Sequence, residues 1–192
     1  DTDRSRGLGD VYKRQILAFE ESYGYMMGDY VRDKDAVTAS MMAAEMAAYY
    51  YDRGMTLIDA IDELYKKYGF YSEETVNLFM YGVDGLGEMR TLMASLRQTP
   101  PAEVGGTPVT RVRDYQTGDV VIPGLGVVEK TPIVGSNVLF FELSDGSALV
   151  VRPSGTEPKI KMYVLARGAS AEEAKARKDR YAAYARSLAE KK

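Results

Sequence analysis

The chain has 192 residues, of which 45% are hydrophobic and 28% charged, a length and balance that fit one soluble globular domain or two small ones. Cysteine and histidine are both absent, which excludes disulfides, thiolate metal sites, thiol nucleophiles, His-dependent triads and His-ligated metals. A net charge of -3 gives no global attraction to nucleic acid or to an anionic membrane, and no run approaches the roughly 20 apolar residues of a membrane span.

Residues 1–15 carry no apolar period of either kind and read as a disordered or artefactual tail; the basic residues are not followed by the apolar stretch of a signal peptide. GLGDVYKRQ resembles translated adaptor sequence, which would place the start of the gene further upstream. The terminal Asp1-Thr2-Asp3 is not assigned a metal. Ile16 to Phe19 predicts the end of a buried strand, leading into the polar loop Glu20-Glu21-Ser22-Tyr23-Gly24-Tyr25. A helix is predicted from Asp35 through Tyr51, with Met41, Met42, Met46 and Tyr49 to Tyr51 read as core packing and Gly54 as its stop. A second helix follows from the N-cap Thr56 to Gly69. Val76 to Tyr81 reads as a strand, Asp84 to Gly87 as a turn, and Glu88 to Leu96 as a short amphipathic helix ended by Pro100 and Pro101.

The texture then changes to strands. Thr107 to Tyr115, Asn137 to Leu143, Ala148 to Val151 and Ile160 to Ala166 each have strand character, and Ser144 to Ser147 forms a hairpin turn between two of them. Residues 116–136 read as a loop with one short strand. Ala171 to Ala189 predicts a helix capped by Ser170, with Glu172 and Glu173 complementing its dipole and an Ala/Tyr stripe covering the sheet. The expected architecture is an α/β remnant followed by an α+β C-terminal domain, the latter an antiparallel sheet of about four strands with helices on one face.

Three segments carry candidate chemistry. In Arg152-Pro153-Ser154-Gly155-Thr156-Glu157-Pro158-Lys159 a guanidinium, two hydroxyls, an approachable glycine backbone and a lysine supply the donors that a phosphate dianion needs, although the same residues also suit an ordinary turn. Neither a Walker loop nor G-x-G-x-x-G is present. In Glu20-Glu21-Ser22, residues two apart share a side, so Glu20 and Ser22 present the acceptor and donor suited to neighbouring sugar hydroxyls; a solvated acidic pair is the alternative. In Arg32-Asp33-Lys34-Asp35, an aspartate caps the helix while Arg32 and Lys34 neutralise their neighbours, or else Lys34 exchanges a proton, which requires burial on ligand binding.

FEESYGY, VRDKDAVTA and SNVLFFELSDGSALVVRPSGTEPKIKMY, in this order, resemble the α-D-phosphohexomutase superfamily over about residues 16–167, most closely its bacterial phosphoglucomutase branch. The resemblance divides the chain into residues 16–81, the C-terminal part of domain three, and residues 82–192, domain four. It implies that Glu20 and Ser22 bind the sugar, that Arg32 joins them, and that Arg152, Ser154, Gly155 and Thr156, assisted by Lys161, hold the non-reacting phosphate. Lys34 becomes the candidate acid/base group. The implied reaction interconverts glucose 1-phosphate and glucose 6-phosphate through a phosphoserine, with Mg2+ in the full-length parent and glucose 1,6-bisphosphate as intermediate or activator. The family's serine and metal loops are not found in this sequence, and Ser40, inside a predicted helix, is not the nucleophile. The resemblance further implies a cytoplasmic protein whose partners are a hexose phosphate and the N-terminal domains of the same parent, without nucleic acid or membrane. Two alternatives stand beside it: a non-catalytic sugar-phosphate or anion binding module, and a phosphomannomutase.

Overall fold

The computed structural model describes residues 16–20, 23–28, 30, 33–81, 84–155 and 157–189. The chain forms two compact units that divide after Leu64. Because β3 (Phe70–Phe79) pairs along its whole length with β10 (Lys159–Gly168), the segment up to Tyr81 that sequence placed with the first part packs in the second. Among the described residues, no helix is long and apolar enough to cross a membrane.

In the first unit, β1 (Leu17–Phe19) and β2 (Tyr25–Met27) form an antiparallel hairpin with Phe19 opposite Tyr25. Its turn is closed by the Glu20 N–H donating to the Gly24 carbonyl at 2.9 Å. Helix α1 (Ala36–Tyr51) starts where the Asp35 carboxylate accepts from the N–H groups of Val37 and Thr38. The Asp35 N–H donates to the Tyr25 carbonyl at 2.8 Å, which fastens the helix start to β2. Helix α2 (Leu57–Tyr68) opens with a reciprocal cap: Thr56 Oγ1 accepts from the Asp59 N–H, and the Asp59 carboxylate accepts from the Thr56 N–H. The expectation that Met41, Met46, Tyr49 and Tyr51 are core residues does not hold. All four are exposed.

The second unit is built on an eight-stranded sheet, not the expected four. Its strand order is β3-β10-β9-β8-β5-β6-β7, with β4 (Glu103–Val104) paired to β5 (Thr107–Asp114). The strands between are β6 (Asp119–Ile122), β7 (Gly126–Lys130), β8 (Leu139–Leu143) and β9 (Ala148–Pro153). Beyond the expected four the sheet gains β3, β4, β6 and β7, of which β6 and β7 lie within residues 116–136, read from sequence as a loop with one short strand; Pro123 to Leu125 are their turn. Helix α3 (Gly85–Gln98) extends past both ends of its prediction, absorbing the expected turn at Asp84 to Gly87.

One face of the sheet is apolar. Val76, Leu78, Ile160, Met162, Val164, Leu139, Phe141 and Val151 point into a single core with Met89, Met93 and Leu96 of α3 and Tyr181, Ala182 and Ala185 of α4 (Ala171–Ser187). Ser170 caps α4 by accepting from the Glu173 N–H, as the sequence indicates. A β-bulge between Val109 and Arg111 switches the inward parity of β5, so that Thr107 and Val109 precede the bulge on the core side and Val112 and Asp114 follow it. The opposite face of the sheet carries Arg152, Lys161 and Asn77 in one cross-strand row.

Candidate functional site

The candidate residues fall on both units, each of which carries its own polar loop. In the first, the hairpin turn and the start of α1 bring Glu20 and Lys34 together although they are 14 positions apart. Lys34 Nζ donates to Glu20 Oε1 at 2.9 Å. Local chemistry makes this possible: the Asp33 carboxylate accepts from the Lys34 N–H, and the Asp35 cap fixes the next residue. The hydrogen bond and charge of Glu20 hold the Lys34 ammonium above its ordinary pKa, outweighing the opposing effect of partial desolvation. The Asp35 carboxyl is held below its ordinary value, chiefly by the Thr38 hydroxyl and then by the N–H groups of Thr38 and Val37.

Gly24 makes the pairing possible. A methyl group there would fall 2.3 Å from Lys34 Cδ and 2.5 Å from Glu20 Oε1, so the ion pair occupies the space of the missing side chain. Glu20 and Lys34 line a depression of about 260 Å³ on one side, with Phe19, Tyr25 and Asp33. They also line one of about 400 Å³ on the other, with Tyr23, Ala39 and Ser40. Ser22 and Arg32 lie outside the described residues. Ser40 is a helix residue whose hydroxyl donates to the Ala36 carbonyl at 2.7 Å.

In the second unit the phosphate-loop candidate is the turn between β9 and β10. The Ser154 N–H donates to the Lys159 carbonyl, the Lys159 N–H to the Glu157 carbonyl, and the Glu157 N–H to Ser154 Oγ at 3.3 Å. Arg152 lies directly across from Lys161 in the β9/β10 register. Neither cation is engaged by an ion pair among the described residues. Lys159, the lysine of the donor-rich stretch in the sequence, projects on the same face as Lys161. It bonds Glu157 at 2.5 Å and its ammonium sits 5.7 Å from the centre of the Phe79 ring. Gly155 has no left-handed backbone, and a Cβ built on it would meet nothing within 4 Å, so neither conformation nor packing demands glycine there. The open space in front of its backbone suits the close approach of an anion. Thr156 lies outside the described residues.

The loop is braced from behind. The Met80 N–H donates to the Pro158 carbonyl at 2.8 Å, and a Cβ on Gly85 would lie 2.3 Å from the Met80 carbonyl oxygen and 3.2 Å from Pro158 Cβ. Gly85 is therefore a supporting residue that sequence reasoning missed; a glycine at the first turn of an amphipathic helix, where Ala would propagate better, was the available signal. Among the described residues, no group of three or more Asp or Glu side chains is arranged to hold a metal ion.

Residues 11–68 match the family model for the alpha/beta/alpha domain III of phosphoglucomutase/phosphomannomutase, and residues 105–183 match that for the C-terminal domain of the same proteins. A phosphoglucomutase of Staphylococcus aureus (strain bovine RF122 / ET3-1) is 35% identical over 155 residues, which is 81% of this chain and 28% of that protein. A probable phosphomannomutase of Haemophilus influenzae is 36% identical over 154 residues, 80% of this chain and 28% of that protein. The chain thus spans a little over a quarter of the length of these relatives. In fold, it is similar to the open form of the Paramecium exocytosis-sensitive phosphoprotein pp63/parafusin, with a TM-score of 0.55 at 18% identity over 89% of this chain and 30% of that one. With both matched segments in the order in which the two loops occur, the chain belongs to the phosphoglucomutase/phosphomannomutase family of the α-D-phosphohexomutase superfamily.

Proposed function

We propose that the chain is the sugar- and phosphate-recognising part of a phosphoglucomutase, which interconverts glucose 1-phosphate and glucose 6-phosphate through a phosphoserine and a bisphosphate intermediate. The observation that carries this reading is the Arg152–Lys161 row, two cations without acidic partners among the described residues, beside a turn whose Gly155 backbone faces open space. Arg152 offers a planar fork to two oxygens of a phosphate, and Lys161 a point charge to the third. Ser154 and Thr156 belong to the same cradle through their hydroxyls. Glucose is favoured over mannose by the FEESYGY and RDKDAV segments.

In the first unit, Glu20 accepts from sugar hydroxyls once Lys34 releases it, and Ser22 and Arg32 complete that set. Lys34, kept protonated by Glu20, serves first as a proton donor to an oxygen of the ligand; accepting a proton requires that ligand binding strip away both Glu20 and water. Glucose 1,6-bisphosphate is the intermediate in this reading, and its two phosphates take turns on the Arg152 loop. The ligands of the magnesium ion are assigned to sequence outside these 192 residues, and no step here runs through it. The phosphoserine is assigned there too, so this chain alone has no mutase turnover.

Two measurements test the reading. Titration of the full chain with glucose 1-phosphate is expected to shift the amides of Gly155, Lys159 and Lys161; no shift at millimolar ligand removes its physical basis. A coupled assay for glucose 6-phosphate formation on the pure chain is expected to read zero, and turnover above background would overturn the assignment of the chemistry to other domains.

A further inference from the structure

Tyr23 is, among the described residues, the one non-glycine residue with a left-handed backbone, at φ +64°. A bulky residue in that region is uncommon and persists where its surroundings over-determine it, a condition that concentrates at ligand-facing loops. Here the surroundings are the hairpin closure from Glu20 to Gly24 and the bond from Asp35 to Tyr25, which fix the chain on the C-terminal side of Tyr23. The conformation is not compensated by burial, since Tyr23 is 87% exposed.

The ring lines the depression of about 400 Å³, within the 300 to 1,000 Å³ or so that small-molecule sites occupy. Tyr23 and Tyr25 supply its aromatic lining, Ala39 and Ala43 its small aliphatic lining, and Glu20 and Lys34 its charged groups. Small residues on α1 leave room opposite the rings. An aromatic surface beside a carboxylate and an ammonium is the combination that recognises a sugar, whose C–H faces are apolar and whose edges carry hydroxyls.

We propose that Tyr23 is a sugar-stacking residue: its ring receives the apolar C–H face of the hexose whose hydroxyls Glu20 and Lys34 bind. This rests on the sugar-phosphate reading given above. Hydrogen bonds are directional, so turning a bisphosphate end for end forces Glu20 and Lys34 to exchange one set of hydroxyls for another. Contact between a flat ring and C–H groups makes no such demand. Tyr23 thus supplies the part of the affinity that does not depend on which hydroxyls face Glu20 and Lys34.

The test uses the full chain, Tyr23→Gly and Tyr23→Phe, with glucose 1-phosphate and inorganic phosphate as probes. Glycine keeps the left-handed backbone without the ring, and phenylalanine keeps the ring without the hydroxyl. Tyr23→Gly is expected to weaken glucose 1-phosphate binding by about tenfold while leaving inorganic phosphate binding at the Gly155 amide unchanged. Tyr23→Phe is expected to bind like the parent, and both ring-bearing chains are expected to move the sugar C–H proton resonances upfield. Equal glucose 1-phosphate affinity in the parent and Tyr23→Gly overturns the inference alone, as does a Tyr23→Phe chain as weak as Tyr23→Gly. Absence of glucose 1-phosphate binding in the parent overturns the functional reading, and the inference falls with it.

Discussion

Arg152 of β9 and Lys161 of β10 face each other across the ladder, and neither forms an ion pair among the described residues. Two like charges opposite one another destabilise a strand pair, so their juxtaposition calls for an anion. Arg152→Ala is expected to weaken phosphate binding on the order of ten- to a hundredfold, the loss of a charge-assisted hydrogen-bond pair. Arg152→Lys should recover only part of it, because an ammonium lacks the two-pronged geometry. Amide-shift titrations with inorganic phosphate measure both, and thermal unfolding without phosphate should show Arg152→Ala no less stable than the parent.

Gly85 supports the same loop from behind, and the obstacle to a side chain there is backbone, which does not yield cheaply. Gly85→Ala is expected to lower stability by about 1–3 kcal/mol. It should also weaken phosphate binding, since the Met80–Pro158 bond that braces the loop is displaced. Chemical denaturation combined with phosphate titration of the folded fraction separates the two effects.

Gly24 presents the opposite case. The atoms that a methyl group would strike belong to the ends of two solvent-accessible side chains, so Gly24→Ala should change stability by no more than about 0.5 kcal/mol while separating Lys34 from Glu20. The Lys34 ammonium, now held above 10.5, should then titrate at lower pH. Whatever stability the pair contributes is present below the unfolded lysine's pKa and is lost as pH rises through the higher folded value. The alkaline limb of a pH-stability curve should therefore flatten slightly in Gly24→Ala, and lysine-selective NMR titration reads the pKa directly.

Tyr181 is fully buried and donates its hydroxyl to Asp145, leaving the Thr107 hydroxyl to donate to it at 2.9 Å. Burial opposes ionisation of Asp145, yet Tyr181, Ser147 and the charge of Arg177 together hold its pKa below the ordinary 3.8. Tyr181→Phe is expected to cost about 1.5–3 kcal/mol near neutral pH, a hydrogen bond to a charged group. Because the lowered pKa contributes stability above 3.8 that disappears as pH falls through the folded value, the parent and Tyr181→Phe should converge in acid. Urea denaturation from pH 7 down to pH 2 tests this.

Features fixed by neighbours in sequence were legible. The caps at Asp35, Thr56 and Ser170 need only a side chain and an amide two or three residues on, and the Asp145-Gly146 turn needs only a residue tolerant of φ +81°. Features fixed by distant partners were not. Glu74 looks like a surface residue in the polar stretch YSEET, but it points to the core side of β3, where Lys178 and Arg186 of α4 meet it. Without those cations the strand had no readable start before Val76. The β6/β7 hairpin was missed because all of β7 is exposed, which removes the alternation that marks a half-buried strand. At the site, the loop sequences were visible, whereas the Arg152–Lys161 register, the Lys159–Glu157 bond and the spacing roles of Gly24 and Gly85 follow from pairings that no local pattern encodes.

The turn from Ser154 to Pro158 hangs between β9 and β10, and each of these strands is hydrogen-bonded to a neighbour on both flanks. Both anchor points are thus held before any anion arrives, and the entropy of ordering them has already been surrendered during folding. If the loop takes a tetrahedral dianion as proposed, its discrimination would rest on fit, because a turn with clamped ends has little freedom to reshape itself around the wrong guest.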